Sequence, residues 1–398
     1  ENSLNQAIVS MAQTYVGSNN VNIFLGKGQF GTRWQGGKDS ASERYIFTEL
    51  NPLTKQIFNK DDSKVLTYMD DDGTLVEPEY YIPIVPMVLV NGVKAGIGTG
   101  YSCSILPYNP KDIIEYLVNR LNGKTTNSDF MPYFNGFTGT VHKASETKYV
   151  IKGLYTINKK HVLVTELPVG VWIEDYKVLL EKLVEKKKIK NFKDMSTDVK
   201  IDFNIEFSSE IDITELYKKK TEYGNELENV LHLYTTKTIT NMHLFDKDQK
   251  IKHYRNIGEI MDDFYEIRME YYEKRKQKII EELKYTVMVL TNKARFIKEQ
   301  CDDVLDLRRK KMTVICDMLT KMKYDKIDED ETYRYLVNMP MSSIIEENIE
   351  KLEGEKRKKI KELTKITKTT ISEMWINELI ELKESLDGKR KIKLVKSP

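Results

Sequence analysis

Between Glu259 and Met339 the chain contains neither glycine nor proline, and no other feature of the sequence limits its fold so strongly. Without backbone breakers, a helix begun near Gly258 has no local reason to stop. Phe264, Ile267 and Tyr271, then Ile280, Leu283, Val287, Leu290, Ala294 and Ile297, recur in steps of three and four, the spacing of a packed helical stripe. A straight helix over 258–300 is roughly 65 Å long at 1.5 Å per residue. Such a stripe needs a covering surface, and Ile345, Ile349, Leu352, Ile360, Leu363 and Ile366 form a second one. The chain is therefore expected to run out, turn and return antiparallel to itself. Between the stripes lie VICDMLTKMKYD and YRYLVNMPMSSI, an apolar, methionine-rich patch at the far tip that is costly in water unless covered. Homodimerisation through residues 301–342 is one expectation; a small self-contained core at the tip is the other. SEMWINELIELKESL predicts a final helix packing through Trp375, Leu379 and Leu382. The tail GKRKIKLVKSP is a short basic segment of the kind used for a nuclear signal or a DNA contact.

The N-terminal part has the opposite character. From Gly26 to Tyr45 the sequence reads GKGQFGTRWQGGKDSASERY. Its glycines allow sharp turns and close approach to another surface, and backbone N–H groups in such turns are natural anion seats. Lys27, Arg33, Lys38 and Arg44 outnumber Asp39 and Glu43, so the expected partner is phosphate. Tyr45 then reads as a nucleophile. A phenol with a reference pKa of about 10 attacks a phosphodiester only with help in losing its proton. A cation must also steady the charge that grows on the phosphate, and the forked guanidinium of Arg44 suits that task. The competing reading is a surface loop leading into a strand, RYIFTEL, with Tyr45 and Phe47 on one face.

The remaining segments are mixed. Leu4, Ile8, Met11 and Tyr15 predict an opening helix, and a second helical segment falls near Pro52 to Asn59. Asp70, Asp71 and Asp72 before Gly73 read as a solvated turn rather than a metal site. A helix is expected over Asp112 to Leu121. TKYVIKGLYTI and HVLVTELPV alternate like strands, and a helix from Ile173 is expected to continue into EKLVEKKKIKNFK. Lys186, Lys187 and Lys188 fit either a solvated face or contacts to distant phosphates. With 40% apolar and 31% charged residues, the composition is ordinary for two or three domains with proper cores. A net charge of +2, from 63 basic and 61 acidic residues, confines any nucleic-acid surface to local patches. The longest apolar stretch, near Ile82 to Val93, is broken by Pro83, Pro86 and Asn91, so no membrane span is predicted. Cys103, Cys301 and Cys316 are too few and scattered for a disulfide framework or zinc site, which suits a reducing compartment. No signal peptide or initiator methionine is present, and a fragment of a longer protein is expected.

GQFGTR followed by GGKDSASERYIFTEL resembles the catalytic segment of type IIA DNA topoisomerases, in the eukaryotic rather than the bacterial gyrase form. MAQTYVGSNN at 11–20, EPEYYIPIVPMVLVNG at 77–92, GIGTGYS at 96–102 and TELPVGVW at 165–172 extend the resemblance, with the long charged helices, along nearly the whole chain. It implies that Tyr45 becomes joined to a DNA 5′ phosphate with Arg44 assisting, and that Gln29, Arg33 and Lys38 bind DNA. The first helix would lie in a DNA groove, where Ser3 and Gln6 touch the duplex; alternatively Ser3 is an N-cap paired with Gln6 in a capping box. Ile97, between Gly96 and Gly98, would wedge between base pairs, or else be a core residue in a tight turn. This sequence has three residues between NG and GIG where the family pattern has two, which brings Lys94 nearer the phosphates.

The implied fold is α+β and multidomain: a truncated winged-helix region over 1–80 carrying the tyrosine, an α/β tower over 81–257, and a long antiparallel coiled-coil arm over 258–398 with its dimerisation tip. The family's Mg²⁺-binding TOPRIM domain and a histidine ahead of Glu1 are missing. All five histidines, at 142, 161, 232, 243 and 253, follow the tyrosine. The resemblance thus implies the breakage-reunion part of an ATP-hydrolysing type II topoisomerase, acting on duplex DNA as a homodimer, with Mg²⁺ and ATP bound by domains elsewhere. A non-enzymatic dimeric coiled-coil DNA clamp is the alternative from another class, and a gyrase-A-like protein natively without its metal domain is the nearer one. The lysine, isoleucine and asparagine content suits an AT-rich genome. A nuclear location is expected for a eukaryotic source and the host cytoplasm for a large DNA virus.

Overall fold

The computed structural model describes residues 2–327, 330, 332–340 and 345–388. Glu1, residues 341–344 of the expected tip patch and the basic tail after Gly388 lie outside the described residues. The chain divides into two compact units, one of Glu1–Lys60, Tyr81–Arg268 and Ile376–Pro398, the other of Asp61–Tyr80 and Met269–Trp375. This partition differs from the expected three consecutive regions. Residues 61–80 group with the long helices, and the last helix is shared between the units.

The larger core of the first unit is a four-stranded antiparallel sheet in the order Asn191–Asp194, Phe203–Glu206, His161–Glu166, Leu154–Asn158. Alternation along HVLVTE buries Val162, Val164 and Glu166 on one face. Helix Ile173–Glu185 belongs to the same core, burying Ile173, Tyr176, Leu180 and Leu183 at helical spacing. It stops at Glu185 instead of continuing through the lysines: Lys187 has φ 56°, and Asn191–Asp194 is already a strand. Lys186, Lys187 and Lys188 are exposed. A second sheet runs Tyr234–Thr238, Lys148–Lys152, Thr140–Ser145. Helix Pro110–Leu121 has proline at its start and an Asn109 cap, the arrangement that satisfies orphan N–H groups.

The opening helix, Asn2–Ala12, buries Val9 and Ala12 against Phe30, while Leu4 is 64% exposed. Its inward face is thus turned from the predicted Leu4–Ile8–Met11 stripe. Ser3 lies within the first turn, so the N-cap reading of Ser3 and Gln6 fails; both are exposed.

In the second unit, helix Ile257–Cys301 spans 45 residues from its start in the first unit, and helix Glu346–Lys368 spans 23. Burial on the long helix concentrates at its ends, and the stripe residues Leu283, Val287 and Leu290 are half-buried. Near the start, Tyr272 stacks on Trp375 at 5.4 Å and Arg275 lies over Tyr272 at 4.4 Å. Arg275 is also buried and paired with Asp62 at 3.2 Å. At the far end Phe296, Leu305, Ile315, Leu319, Tyr324, Tyr333 and Leu336 form a small core, with Met318, Met322 and Met339 packed on it. Much of the methionine-rich patch is therefore covered from within the chain, the second of the two tip readings. Val304, Met312 and Val314 remain exposed there. Asp70–Asp72 sit at a hairpin between Tyr68–Asp71 and Thr74–Pro78, where the Asp70 carboxylate accepts from the Gly73 N–H at 2.6 Å. Among the described residues, no helix is long and apolar enough to cross a membrane.

Candidate active site

The glycine-rich segment folds as a closed loop. Thr32 donates its N–H to Asp39 at 2.9 Å, and its hydroxyl bonds the other oxygen of the same carboxylate. Gly37 N–H reaches Thr32 O and Ala41 N–H reaches Gln29 O, each at 2.9 Å. Glycine is required inside the loop: a Cβ on Gly31 would meet the Gly37 Cα at 2.6 Å. The outer wall is equally tight. Gly36 has φ +64°, a Cβ on it would meet the Trp172 ring at 2.2 Å, and its carbonyl accepts from the Tyr15 hydroxyl at 2.8 Å. Burial first, and Asp39 second, push the Tyr15 phenol up to about 12, so Tyr15 stays a protonated donor.

Beyond the loop, Glu43–Tyr45 form one 3₁₀ turn, in which the Tyr45 N–H bonds Ser42 O at 2.9 Å. Strand Phe47–Leu50 then pairs with Phe24–Lys27, with Lys27 opposite Phe47. The strand starts two residues after Tyr45, so the tyrosine is not fixed on a sheet face as RYIFTEL alone suggests. Its side chain is 70% exposed, and the Arg44 guanidinium carbon lies 5.4 Å from its ring centroid. Nucleophile and cation thus share one short turn at the surface, a geometry able to present a phenol and a forked donor to one phosphate.

The four cations of the segment separate sharply. Lys38 and Arg44 are exposed and form no ion pair among the described residues, and Gln29 is exposed with its backbone closing the loop. Lys27 is exposed but paired with Glu49 at 3.1 Å. Arg33 departs from the DNA-binding expectation. It is only 4% exposed, pairs with buried Glu166 at 2.5 Å and donates to Leu167 O at 2.8 Å. A guanidinium so enclosed and satisfied is a structural group.

Ile97 lies on a separate hairpin, Val93–Gly98 paired with Tyr101–Ile105, and is 87% exposed. It is therefore not a core residue. A register shift between Val93 and Gly96 marks a bulge around Lys94, whose ammonium lies 5.9 Å from the Tyr15 ring centroid. That position lowers the lysine's pKa through desolvation. The bulge directs Lys94 toward Tyr15.

Sequence reasoning gave no site role to Tyr15, Glu166 or Trp172, the residues that hold the loop. One signal was available: Glu166 occupies the inward phase set by Val162 and Val164, where a carboxylate demands a buried partner. Among the described residues, no group of three or more histidine, cysteine, aspartate or glutamate side chains could hold a metal ion. The Asp70–Asp72 turn, with Asp70 bonded to its own backbone, does not fit Mg²⁺ as a site.

The family model for the A-type polypeptide of DNA gyrase/topoisomerase IV matches residues 1–381. DNA topoisomerase 2 of Arabidopsis thaliana is 37% identical over 97% of this chain and 29% of its own length. The Penicillium chrysogenum DNA topoisomerase 2 is 36% identical over 95% of this chain and 25% of its own. Among solved structures, the DNA-binding, cleavage and re-ligation domain of Plasmodium falciparum topoisomerase II matches with a TM-score of 0.86 at 35% identity, covering 98% of this chain and 56% of that one. The chain thus spans between a quarter and a third of the curated relatives it matches. With that family model matched along residues 1–381, the chain belongs to the DNA gyrase/topoisomerase IV family, in its A-type branch, with eukaryotic DNA topoisomerase 2 proteins among its relatives.

Proposed function

We propose that this chain is the breakage-and-rejoining part of a type II DNA topoisomerase. The observation that carries the reading is the surface turn in which Tyr45 projects beside the Arg44 guanidinium. The phenolic oxygen of Tyr45 attacks a DNA phosphorus and the bond from phosphorus to the 3′ oxygen breaks. The DNA 5′ phosphate is then esterified to the tyrosine, and the phenolic proton ends on the departing 3′ hydroxyl. One phosphodiester replaces another, so cleavage needs no energy input and the 3′ hydroxyl can reverse it. Arg44 steadies the charge that grows on the non-bridging oxygens. Each protomer of a homodimer cuts one strand, and a second duplex passes through the gap.

Residues around 1–60 act as a winged-helix region, with Ser3, Gln29 and Lys38 against DNA. The two sheets form a tower supporting bent DNA, and Ile97 wedges a base step open. The two long helices form a coiled-coil arm whose tip, 301–342, joins protomers. Mg²⁺ and ATP are bound by TOPRIM and ATPase domains outside this chain, where the metal supplies charge neutralisation at the phosphate. The site of action is the nucleus of a eukaryote, or the cytoplasm of a host cell if the source is a large DNA virus.

The test is covalent trapping. Full-length protein is mixed with Mg²⁺ and supercoiled plasmid, then denatured. The wild type is expected to remain attached to DNA 5′ ends and Tyr45→Phe to bind DNA without becoming attached. Equal binding with no attachment by either protein would leave the DNA-clamp reading in its place.

A further inference from the structure

Glu166 is the most heavily engaged carboxylate near the glycine loop, yet it touches no residue of the catalytic turn. One oxygen pairs with Arg33 Nη2 at 2.5 Å and accepts the Leu167 N–H at 2.9 Å. The other accepts the Thr138 N–H at 3.1 Å and the Thr138 hydroxyl at 2.8 Å. Both partners of the ion pair are nearly fully buried. A bulge between Val164 and Glu166 interrupts the pairing of this strand with Leu154–Asn158, and bulges serve to re-aim side chains. The contact runs from the first residue after the loop's GT step to a strand 133 positions away in sequence numbering, 166 minus 33.

Backbone bonds reinforce it. The carbonyls of Arg33 and Trp34 accept the N–H groups of Ile173 and Glu174, at 3.3 and 3.1 Å, in the opening turn of helix Ile173–Glu185. Those N–H groups would otherwise lack partners within their helix. On the opposite side, Gln13 Nε2 donates to Phe30 O at 3.0 Å and Tyr15 to Gly36 O. The loop is closed on itself, clamped at its root, and continues directly into the turn of Tyr45.

We propose that Arg33 and Glu166 are positioning residues for Tyr45, fixing the root of the glycine loop so that the tyrosine meets the scissile phosphate in line; this rests on the reading of Tyr45 as nucleophile. Stability alone is a poor reason for such a pair, because a well-packed neutral replacement of a buried ion pair is often at least as stable. Position is a better one: a misplacement of about 1 Å can lower a rate on the order of 10²-fold.

The discriminating experiment compares Arg33→Gln, Glu166→Gln and the double variant in full-length protein. Melting temperature, DNA affinity and the rate of 5′ adduct formation are measured for each. Either single change leaves one charge buried without its partner and is expected to lower the melting temperature. The double variant has no unpaired charge and is expected to regain stability and to keep DNA affinity within about threefold, while its adduct forms on the order of 10²-fold more slowly than wild type. Recovery of both stability and cleavage rate in the double variant overturns the proposal and makes the pair structural only. If the double variant does not fold, Thr138→Val loosens Glu166 while retaining the ion pair. A several-fold slower adduct rate at unchanged melting temperature supports the clamp, and an unchanged rate overturns it. A wild type that forms no adduct overturns the nucleophile reading itself, and the positioning role with it.

Discussion

The two arginines of the glycine-rich segment lie eleven positions apart, 44 minus 33, and have opposite fates. Arg33 is buried, paired and bonded to backbone; Arg44 is exposed, without an ion pair among the described residues, and beside a phenol. The root of the segment spends its polar groups on the protein, whereas the turn keeps them free for a ligand. Burial therefore separates a structural charge from a chemical one where residue type and local sequence do not.

The contrast can be broken by substitutions that should act on one property and spare the other. Arg44→Ala carries the largest expected effect: the adduct rate falls about 10²- to 10³-fold, as for loss of a donor at a developing negative charge. Its melting temperature stays near wild type, because exposed substitutions away from special features usually change stability by less than about 0.5 kcal/mol. A parallel fall in stability would mean that Arg44 is structural too.

On the wedge hairpin, Ile105→Ala is expected to cost about 2–5 kcal/mol of stability in denaturant titration, since Ile105 is buried. Ile97→Ala is expected to leave stability intact and reduce DNA bending, followed by fluorescence energy transfer across the site. Loss of stability at Ile97, or undiminished bending, would remove its wedge role.

Within the loop root, Gly36→Ala forces a Cβ toward the Trp172 ring at a positive φ and is expected to destabilise by about 1–3 kcal/mol. The smallest effect belongs to Lys38→Ala. It should reduce the slope of log affinity against log salt by about 1, the loss of one phosphate contact, without altering the melting temperature.

Some of this organisation is legible in the chain itself. The absence of glycine and proline after Gly258 is enough to predict the 45-residue helix, because local propensity and apolar spacing agree there. Alternation in HVLVTE likewise predicts its strand. The fixing of the long helix is not legible: Arg275 reads as a surface residue until Asp62 and the Tyr272–Trp375 stack are brought to it from distant segments. The first helix misleads for a related reason. Leu4 satisfies the apolar spacing, but the surface available to the helix is Phe30, and it faces Val9 and Ala12.

At the site, Tyr45 and Arg44 are visible as neighbours in sequence, and one short turn keeps them together. Arg33 is not separable from them by composition, because its partner is a carboxylate on a remote strand. The glycine pattern indicates tight turns but not what presses on them. Trp172 and Tyr15 supply that pressure, and neither can be assigned to the loop before the chain folds.

Whether Tyr45 is the nucleophile is decided by identifying the residue that carries the DNA. Full-length protein is trapped on DNA carrying distinct 5′ and 3′ labels, digested with nuclease and protease, and the nucleotide-bearing peptide is sequenced by mass spectrometry. With 23 tyrosines in the chain, the assignment is demanding. The expected result is a single adduct on Tyr45 joined to the 5′ phosphate. An adduct on another tyrosine, or on a 3′ phosphate, would contradict this mechanism.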